Sequence, residues 1–471
     1  MTDQNEDQTP VDLSEELTVP GKPSKMDLSS GSVATHLIRL SGNMLMGFVS
    51  VMTANLMETV YVGQLGTLEL AAVSYTFPIA MILQGVGMGL SVGAASVVAR
   101  SIGLGDMDRV HRLFTHCLLL VVFLCSCLAA LVFLNTDLVF RLLGAQPEIL
   151  PLATRYLQVW LFGLPFFSVA MVGALLMRAM GDAVRPGYMM ILGSVLHIAL
   201  GAILVFGWGP VPRLGIEGAA WSFVIARAVA CIGYFYFFLK DRLMVATIAN
   251  LLTSWRDILH VGLPASASNL IGPMSMGVIT RLLAGHGPEV VAGFGVAARV
   301  ESMILMILLS LSMSIGPLVG QNWGARRYER VKLAISMACK FSLVWGLISF
   351  ITMALYGEFF VSLINDDPKV VRTASLYLLI LPLSMGLLGI ILNVTQCFNA
   401  FGKPIPPLII SVSQMLVLYV PLALLGDHLW GYVGIFAAAA LTNSILGVAS
   451  WFWINRIVDQ RMLASDIASR K

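Results

Sequence analysis

The chain has 471 residues, 58% of them hydrophobic and only 12% charged, and its mean hydropathy is +0.85. A soluble protein of this length cannot hide so much apolar surface behind so few charges. A soluble enzyme is therefore excluded, and an all-α integral membrane protein is expected. The net charge of +3, without any basic tract, gives no reason to expect a nucleic-acid partner.

Residues 1–35 form the first expected unit, a disordered N-terminal tail. Its first 30 residues are rich in Asp, Glu, Ser and Pro and lack the apolar core of a signal peptide, so the first span is expected to act as the insertion signal. That span, 37–62, is uncharged from Leu40 to Met57 and then meets Glu58. On a helix Asn55 and Tyr61 share the Glu58 face, and Thr59 points away. An acid beside an amide and a phenol inside an apolar helix can hold a proton or a cation, and intramembrane acids default to function. The alternative is a carboxylate reaching the interface alongside Gln64 and Glu69.

The second span, 70–99, carries Gly85, Gly87, Gly89 and Gly93, a pattern for close helix packing. The third, 113–135, holds Cys117, Cys125 and Cys127; with Cys231, Cys339 and Cys397 these read as small buried hydrophobes and form no zinc pattern. Spans follow at 151–177, at 186–207 with His197 in mid-span, and at 215–239 with Arg227. A lone membrane histidine is more often a packing residue, and His197 gains interest only if Glu58 lies near it. Arg227 has no acid beside it on its own helix, so its role is left open between snorkelling and a partner elsewhere.

The second half repeats the arrangement at 256–283, 290–319, 333–356, 371–398, 406–426 and 430–455. In the 290–319 span Arg299 and Glu301 are two residues apart and face different sides, so each needs its own partner. Structural ion pairs are favoured for them over substrate contact. Methionine clusters at 44–46, 274–276 and 303–306 suit either an adaptable cleft for greasy cations or simple gap filling. No HExxH, GxSxG or nucleotide fingerprint occurs in context, so enzyme activity, a cofactor and a metal are not expected.

An internal repeat orders these spans. "GLGDMDRV" (103–110) aligns with "GARRYERV" (324–331) at a shift of 221, which also pairs Gly66 with Gly287, Gly181 with Gly402 and Pro186 with Pro407. "GIEG" (215–218) matches "GYVG" (431–434) at a shift of 216. Twelve transmembrane helices in two six-helix lobes, 36–240 and 241–455, follow, related by a pseudo-two-fold axis along the membrane normal. A C-terminal tail, 456–471, completes the chain. One set of loops holds most of the basic residues, including Arg100, Arg109, Arg112, Arg178, Arg326, Arg327 and Arg330. That set and both termini are expected in the cytoplasm. Parallel repeats with a midplane site make a transporter the expected class on physical grounds.

The motifs "NLMETVYVGQLGTLELAAVS" (55–74), "VVARSIGLGDMDRV" (97–110), "RAMGDAVRP" (178–186), "AARVES" (297–302) and "VGQNWGARRYERV" (319–331) resemble the multidrug and toxic compound extrusion (MATE) transporters, DinF-like branch, over about residues 36–455. The resemblance implies two lobes around a cleft and export driven by a proton or sodium gradient. Glu58 stands where the branch usually has a coupling aspartate, and Asn55 and Tyr61 agree with its pattern. Where the branch adds an asparagine, a second aspartate and a threonine, this chain has His197, Gly201 and Phe223. The acids that related members place in spans seven and ten are absent, and Asn43 replaces the first-span proline, whose repeat mate is Pro264.

The expectation is a monomeric antiporter of the inner membrane. It would export amphipathic, often cationic, small molecules against protons taken up at Glu58, with Asn55, Tyr61 and His197 as neighbours. Sodium is the second choice of ion, because too few oxygen ligands surround Glu58. A lipid-linked flippase of the wider superfamily is the alternative; only Arg227 and Arg299 offer the basic cavity it would use.

Overall fold

The computed structural model describes residues 27–144, 146–209 and 211–469. The first half forms helices α1 (Val33–Leu65), α2 (Thr67–Gly103), α3 (Met107–Leu134), the short α4 (Thr136–Leu142), α5 (Leu150–Ala179), α6 (Val184–Phe206) and α7 (Ile216–Lys240). The second half forms α8 (Leu251–Ala284), α9 (Pro288–Gly324), α10 (Tyr328–Ser362), α11 (Pro368–Ile380) and α12 (Pro382–Ala400). It ends with α13 (Ile405–Val412), a π-helical stretch (Ser413–Tyr419), α14 (Val420–Trp430) and α15 (Tyr432–Ser469).

Among the described residues, eleven helical segments are long and apolar enough to cross a membrane. The remaining span, seventh in chain order, is α8, as long as its neighbours but diluted by Arg256, Asp257, His260, Asn269 and two prolines. The tenth span is α11 and α12 in succession, divided where Pro382 starts a new helix; the eleventh runs from α13 through the π-helical stretch to α14. Proline has no amide hydrogen to give a preceding turn, which accounts for the first break.

Backbone geometry repeats with the sequence. Gly181 and Gly402, one shift of 221 apart, both end a span with positive φ, 82° and 73°. A side chain is strained in that region, so glycine recurs where the chain leaves the helix.

Each half builds its own apolar core. Phe114, Trp160, Leu164 and Phe238 belong to the first-half cluster, whereas Phe294, Tyr377 and Phe436 belong to one in the second. The halves meet along α2 and α8. A Cβ on Gly93 would lie 2.5 Å from the Ile258 carbonyl, and one on Gly89 would lie 2.3 Å from the Ser266 nitrogen. Contact between the lobes continues at the end bearing the basic loops. There Ser96 donates to the Asn399 carbonyl, Gln321 Nε2 donates to the Ala179 carbonyl (2.6 Å), and Arg109 pairs with Asp257 (2.8 Å). The lobes are therefore joined at the basic-loop end.

Three expectations need correction. Of the 1–35 tail, residues 1–26 lie outside the described residues, but 27–35 are ordered and α1 begins at Val33. Leu28 is fully buried; its amide donates to Gln321 Oε1 (2.8 Å) and its carbonyl accepts from Asn322 Nδ2 (3.2 Å). Arg330 donates to the carbonyls of Ser30 (3.1 Å) and Gly31 (2.8 Å). One apolar side chain and a row of bonded carbonyls outweigh the polar composition of this strap. The 456–471 tail is helical through Ser469 because α15 continues past the expected boundary, with Val458 buried in a second-half core cluster. Cys127 is exposed on the outer face of α3, while the other five cysteines are buried.

Candidate functional site

Glu58 sits near the end of α1, where α5, α6 and α7 of the same lobe converge. Its Oε1 accepts a hydrogen bond from the Tyr156 hydroxyl at 2.6 Å, and Tyr156 is buried in the first turns of α5. Its Oε2 faces His197 Nε2 of α6 at 3.6 Å. That separation is beyond a hydrogen bond, and among the described residues neither ring nitrogen of His197 has a hydrogen-bond partner. Arg227 of α7 is within electrostatic reach of the Glu58 carboxyl without forming an ion pair with it.

Apolar walls surround this group. Phe223 stacks on Trp160 with ring centroids 5.1 Å apart and meets His197 edge-on at 6.0 Å. The sequence expectations are thereby sorted. His197 lies against Glu58, but Asn55 and Tyr61 make no bond to it: Asn55 is exposed, and Tyr61 packs on Gly201 and edge-on against Phe206. Asn43, at the position of the missing proline, lies inside α1 and donates back to the Arg39 carbonyl one turn earlier (2.8 Å), and α1 runs unbroken.

The second lobe holds another carboxyl–phenol pair. Tyr377 of α11 donates to Glu301 Oε2 at 2.5 Å, and Tyr419 also interacts electrostatically with Glu301. The ion pairs expected for Arg299 and Glu301 are not formed among the described residues: Glu301 is answered by a phenol, and Arg299 is exposed. The i, i+2 spacing already turned the two away from each other.

Between α1, α2, α5, α6 and α7 lies a cavity of about 320 Å³, closed on one side by Leu309 and Met313 of α9. Met44, Met88, Met171, Met189, Met190 and Met313 line it. So do Arg178 and Arg227, which are only 2% and 7% exposed. Arg227 rests over the rings of Phe167 (5.5 Å) and Phe223 (5.2 Å), and its Nε has no partner.

Sequence reasoning missed Tyr156 and misplaced Arg178. Arg178 was counted among the loop cations because it closes a span, but the last turn of α5 carries it inward. Tyr156 had one legible signal: 377 − 156 is 221, so it is the repeat mate of Tyr377.

Comparison with known proteins places this architecture. The MatE family model matches twice, at residues 44–203 and 264–425, once in each lobe. A Shewanella oneidensis protein named FAD transporter is 33% identical over 92% of this chain and 96% of its own. A multidrug export protein, MepA, of Staphylococcus saprophyticus is 23% identical over 91% and 95%. The crystal structure of the Vibrio cholerae MATE transporter VcmN in its bent form superposes with a TM-score of 0.88 and 28% identity, covering 93% of this chain and 99% of that one.

Proposed function

The chain belongs to the MatE family of multidrug and toxic compound extrusion transporters, and from that premise we propose that it is an antiporter exporting amphipathic organic molecules in exchange for protons bound at Glu58. The observation that carries the ion assignment is the Tyr156–Glu58–His197 grouping, with contacts of 2.6 and 3.6 Å. A proton needs only one carboxyl and a path to it. Sodium leaves water only for several oxygen dipoles at once, and Glu58 is faced by a phenol and by an imidazole that itself lies edge-on to Phe223.

Each neighbour of Glu58 belongs to a different helix. Protonation changes what the carboxyl can accept from Tyr156 on α5 and what charge it presents to His197 on α6 and Arg227 on α7. Loading and unloading the proton therefore biases how α1 sits against the rest of the lobe, which is how an ion shifts an alternating-access equilibrium. With the positive-inside rule, the joined basic-loop end is the cytoplasmic one, so this state faces outward across the inner membrane with both termini inside. The substrate is bound by a monomer, in the methionine-lined cavity of the first lobe.

The test uses the purified full-length protein in proteoliposomes, with proton and sodium gradients imposed separately. FAD is the first substrate to try, given the name of the Shewanella relative, followed by cationic drugs. Drive by a proton gradient, lost in Glu58→Gln, is the expected result. Drive by sodium alone at fixed pH, or undiminished export by Glu58→Gln, would refute it.

A further inference from the structure

We infer that Arg178 and Arg227 form an anion site in the first-lobe cavity, and that the transported molecule carries a phosphate or other anionic group on an aromatic or apolar body. This inference names the substrate class of the cavity and so rests on the transporter reading.

The electrostatics come first. Two guanidinium groups, 2% and 7% exposed, line one cavity of about 320 Å³ whose lining contains no Asp or Glu. Burying a charge is costly unless it is paired, and Arg cannot shed its proton to escape that cost. Yet Arg178 and Arg227 form no ion pair among the described residues, and the Nε of each lacks a partner. Arg178 spends one of its remaining donors on the Met190 sulfur at 3.4 Å, a weak acceptor.

Tyr234 lies within electrostatic reach of both arginines and lines the same cavity, so the two cations sit around one phenol and not at opposite walls. A guanidinium presents its donors as a planar fork that matches phosphate and carboxylate oxygens. The rest of the lining decides the other half of the ligand. Methionine sulfurs and the rings of Phe48 and Phe167 favour a flat, polarizable body. A cationic drug, the expectation from sequence, would enter a cavity whose two buried guanidinium groups form no ion pair among the described residues.

The sign of coupling separates the two substrate classes. Glu58 acts on Arg227 from outside the cavity, so an ionised Glu58 competes with a bound anion for that guanidinium. A proton on Glu58 therefore strengthens anion binding, while it would weaken the binding of a cation. For exchange to run, the difference in anion affinity between the outward- and inward-facing forms must therefore exceed this local attraction.

The experiment is isothermal titration of the detergent-purified, full-length protein, without any gradient, against three probes of one size. These are 1-naphthyl phosphate, neutral 1-naphthol and cationic 1-methylquinolinium. The phosphate should bind at least about tenfold more tightly than either analogue, as expected for charge-assisted hydrogen bonds. Arg178→Met, which keeps an unbranched apolar side chain there, should remove that preference by weakening 1-naphthyl phosphate far more than 1-naphthol. Arg178→Lys should restore part of it, which a purely structural role for the residue would not produce.

Glu58→Gln should bind the phosphate as tightly as the wild type or more so, even though it has lost gradient-driven export. That result keeps a failure of the anion site distinct from a failure of proton coupling. Repeating the titration in nanodiscs with and without phosphatidylglycerol identifies the source of the anion: competition assigns the site to a lipid phosphate, and its absence to a soluble one. Equal affinity for the three probes, or an unchanged phosphate preference in Arg178→Met, would overturn the inference.

Discussion

Both lobes place a carboxyl under the hydroxyl of a tyrosine, and the two tyrosines are repeat mates, Tyr156 and Tyr377. The acids are not mates. Glu58 comes from α1, whereas Glu301 comes from α9, and the position that would mirror Glu58 at a shift of 221 is Ile279. The phenol is thus the element the two lobes share, and each lobe supplies its acid from a different helix. Their surroundings differ as well. Glu58 faces an imidazole and feels an arginine, so a change in its charge acts on four helices at once. Glu301 interacts with Tyr377 and Tyr419 and, among the described residues, with no histidine or ion-pairing cation. A carboxyl–phenol pair alone can fix a packing angle; the larger set can report protonation to the whole lobe.

The sharpest way to break that comparison is to neutralise each acid in turn. Glu58→Gln should reduce proton-driven export by more than about a hundredfold, since the proposed coupling group is gone, while insertion and yield stay normal. Glu301→Gln keeps an acceptor for Tyr377, so export should fall only a few-fold and keep its pH dependence. Flux measured in proteoliposomes over a range of external pH decides between them. Equal loss in both variants would make the lobes equivalent in coupling.

A smaller effect is expected from the phenols. Tyr156→Phe removes a donor to a carboxylate, an interaction worth about 1.5–3 kcal/mol, so export should drop by about tenfold or more. The ionised form of Glu58 loses its support, and the pH profile of flux should move to higher pH. Tyr377→Phe removes the same bond from Glu301 and should lower thermal stability without moving the profile. Unfolding temperatures of the two variants, set beside their flux curves, separate a coupling bond from a packing bond.

The contrast between lobes also marks how far sequence could reach. The spans, the two-fold repeat and the anomalous Glu58 were legible because hydropathy, glycine punctuation and a lone charge are local patterns. His197 could be singled out as unusual, but only packing brings it to 3.6 Å from a residue 139 positions away (197 − 58). Tyr156 had only its repeat relation to Tyr377 to mark it, since a tyrosine near the start of a span is ordinary at an interface. Arg178 was misleading: its place at a helix end has the same sequence signature whether the side chain turns to water or into a cavity. Asn55 and Tyr61 show the reverse error. Sharing a helical face with Glu58 put them near it, and the neighbouring helices claimed that space instead.

The lobes are also tied by a strap. Leu28 inserts into a core cluster that joins Val33, Leu37 and Leu40 of α1 to second-half residues such as Ile315 and Val331. Leu28→Ala should weaken that attachment by about 2–5 kcal/mol, the usual cost of emptying a buried leucine site. Separation of the lobes at the basic-loop end becomes easier without the strap, so hydrogen exchange should rise over residues 28–36. Export should change only a few-fold, because neither Glu58 nor the cavity is touched. A loss of export as large as that in Glu58→Gln would make the strap part of the coupling machinery.

The smallest expected effect concerns acid within that strap. Burial opposes ionisation of Asp27, but hydrogen bonds from Ser29 (2.8 Å from its amide) and Ser30, with the charge of Arg327 nearby, outweigh it and hold the carboxyl below its ordinary value of 3.8. A depressed folded-state value has a definite sign. The stabilisation is fully present above the ordinary value and is lost only as pH falls through the lowered one. Strap docking should therefore be constant between about pH 5 and 8, the window in which the proposed proton-driven export would be assayed. Exchange at the amides of residues 28–31, measured across that window, should stay flat while flux changes. Asp27→Asn should loosen the strap slightly and equally at every pH in the window. If exchange in the strap instead followed the flux curve, the pH dependence of transport would arise at the closed end of the lobes and not at Glu58.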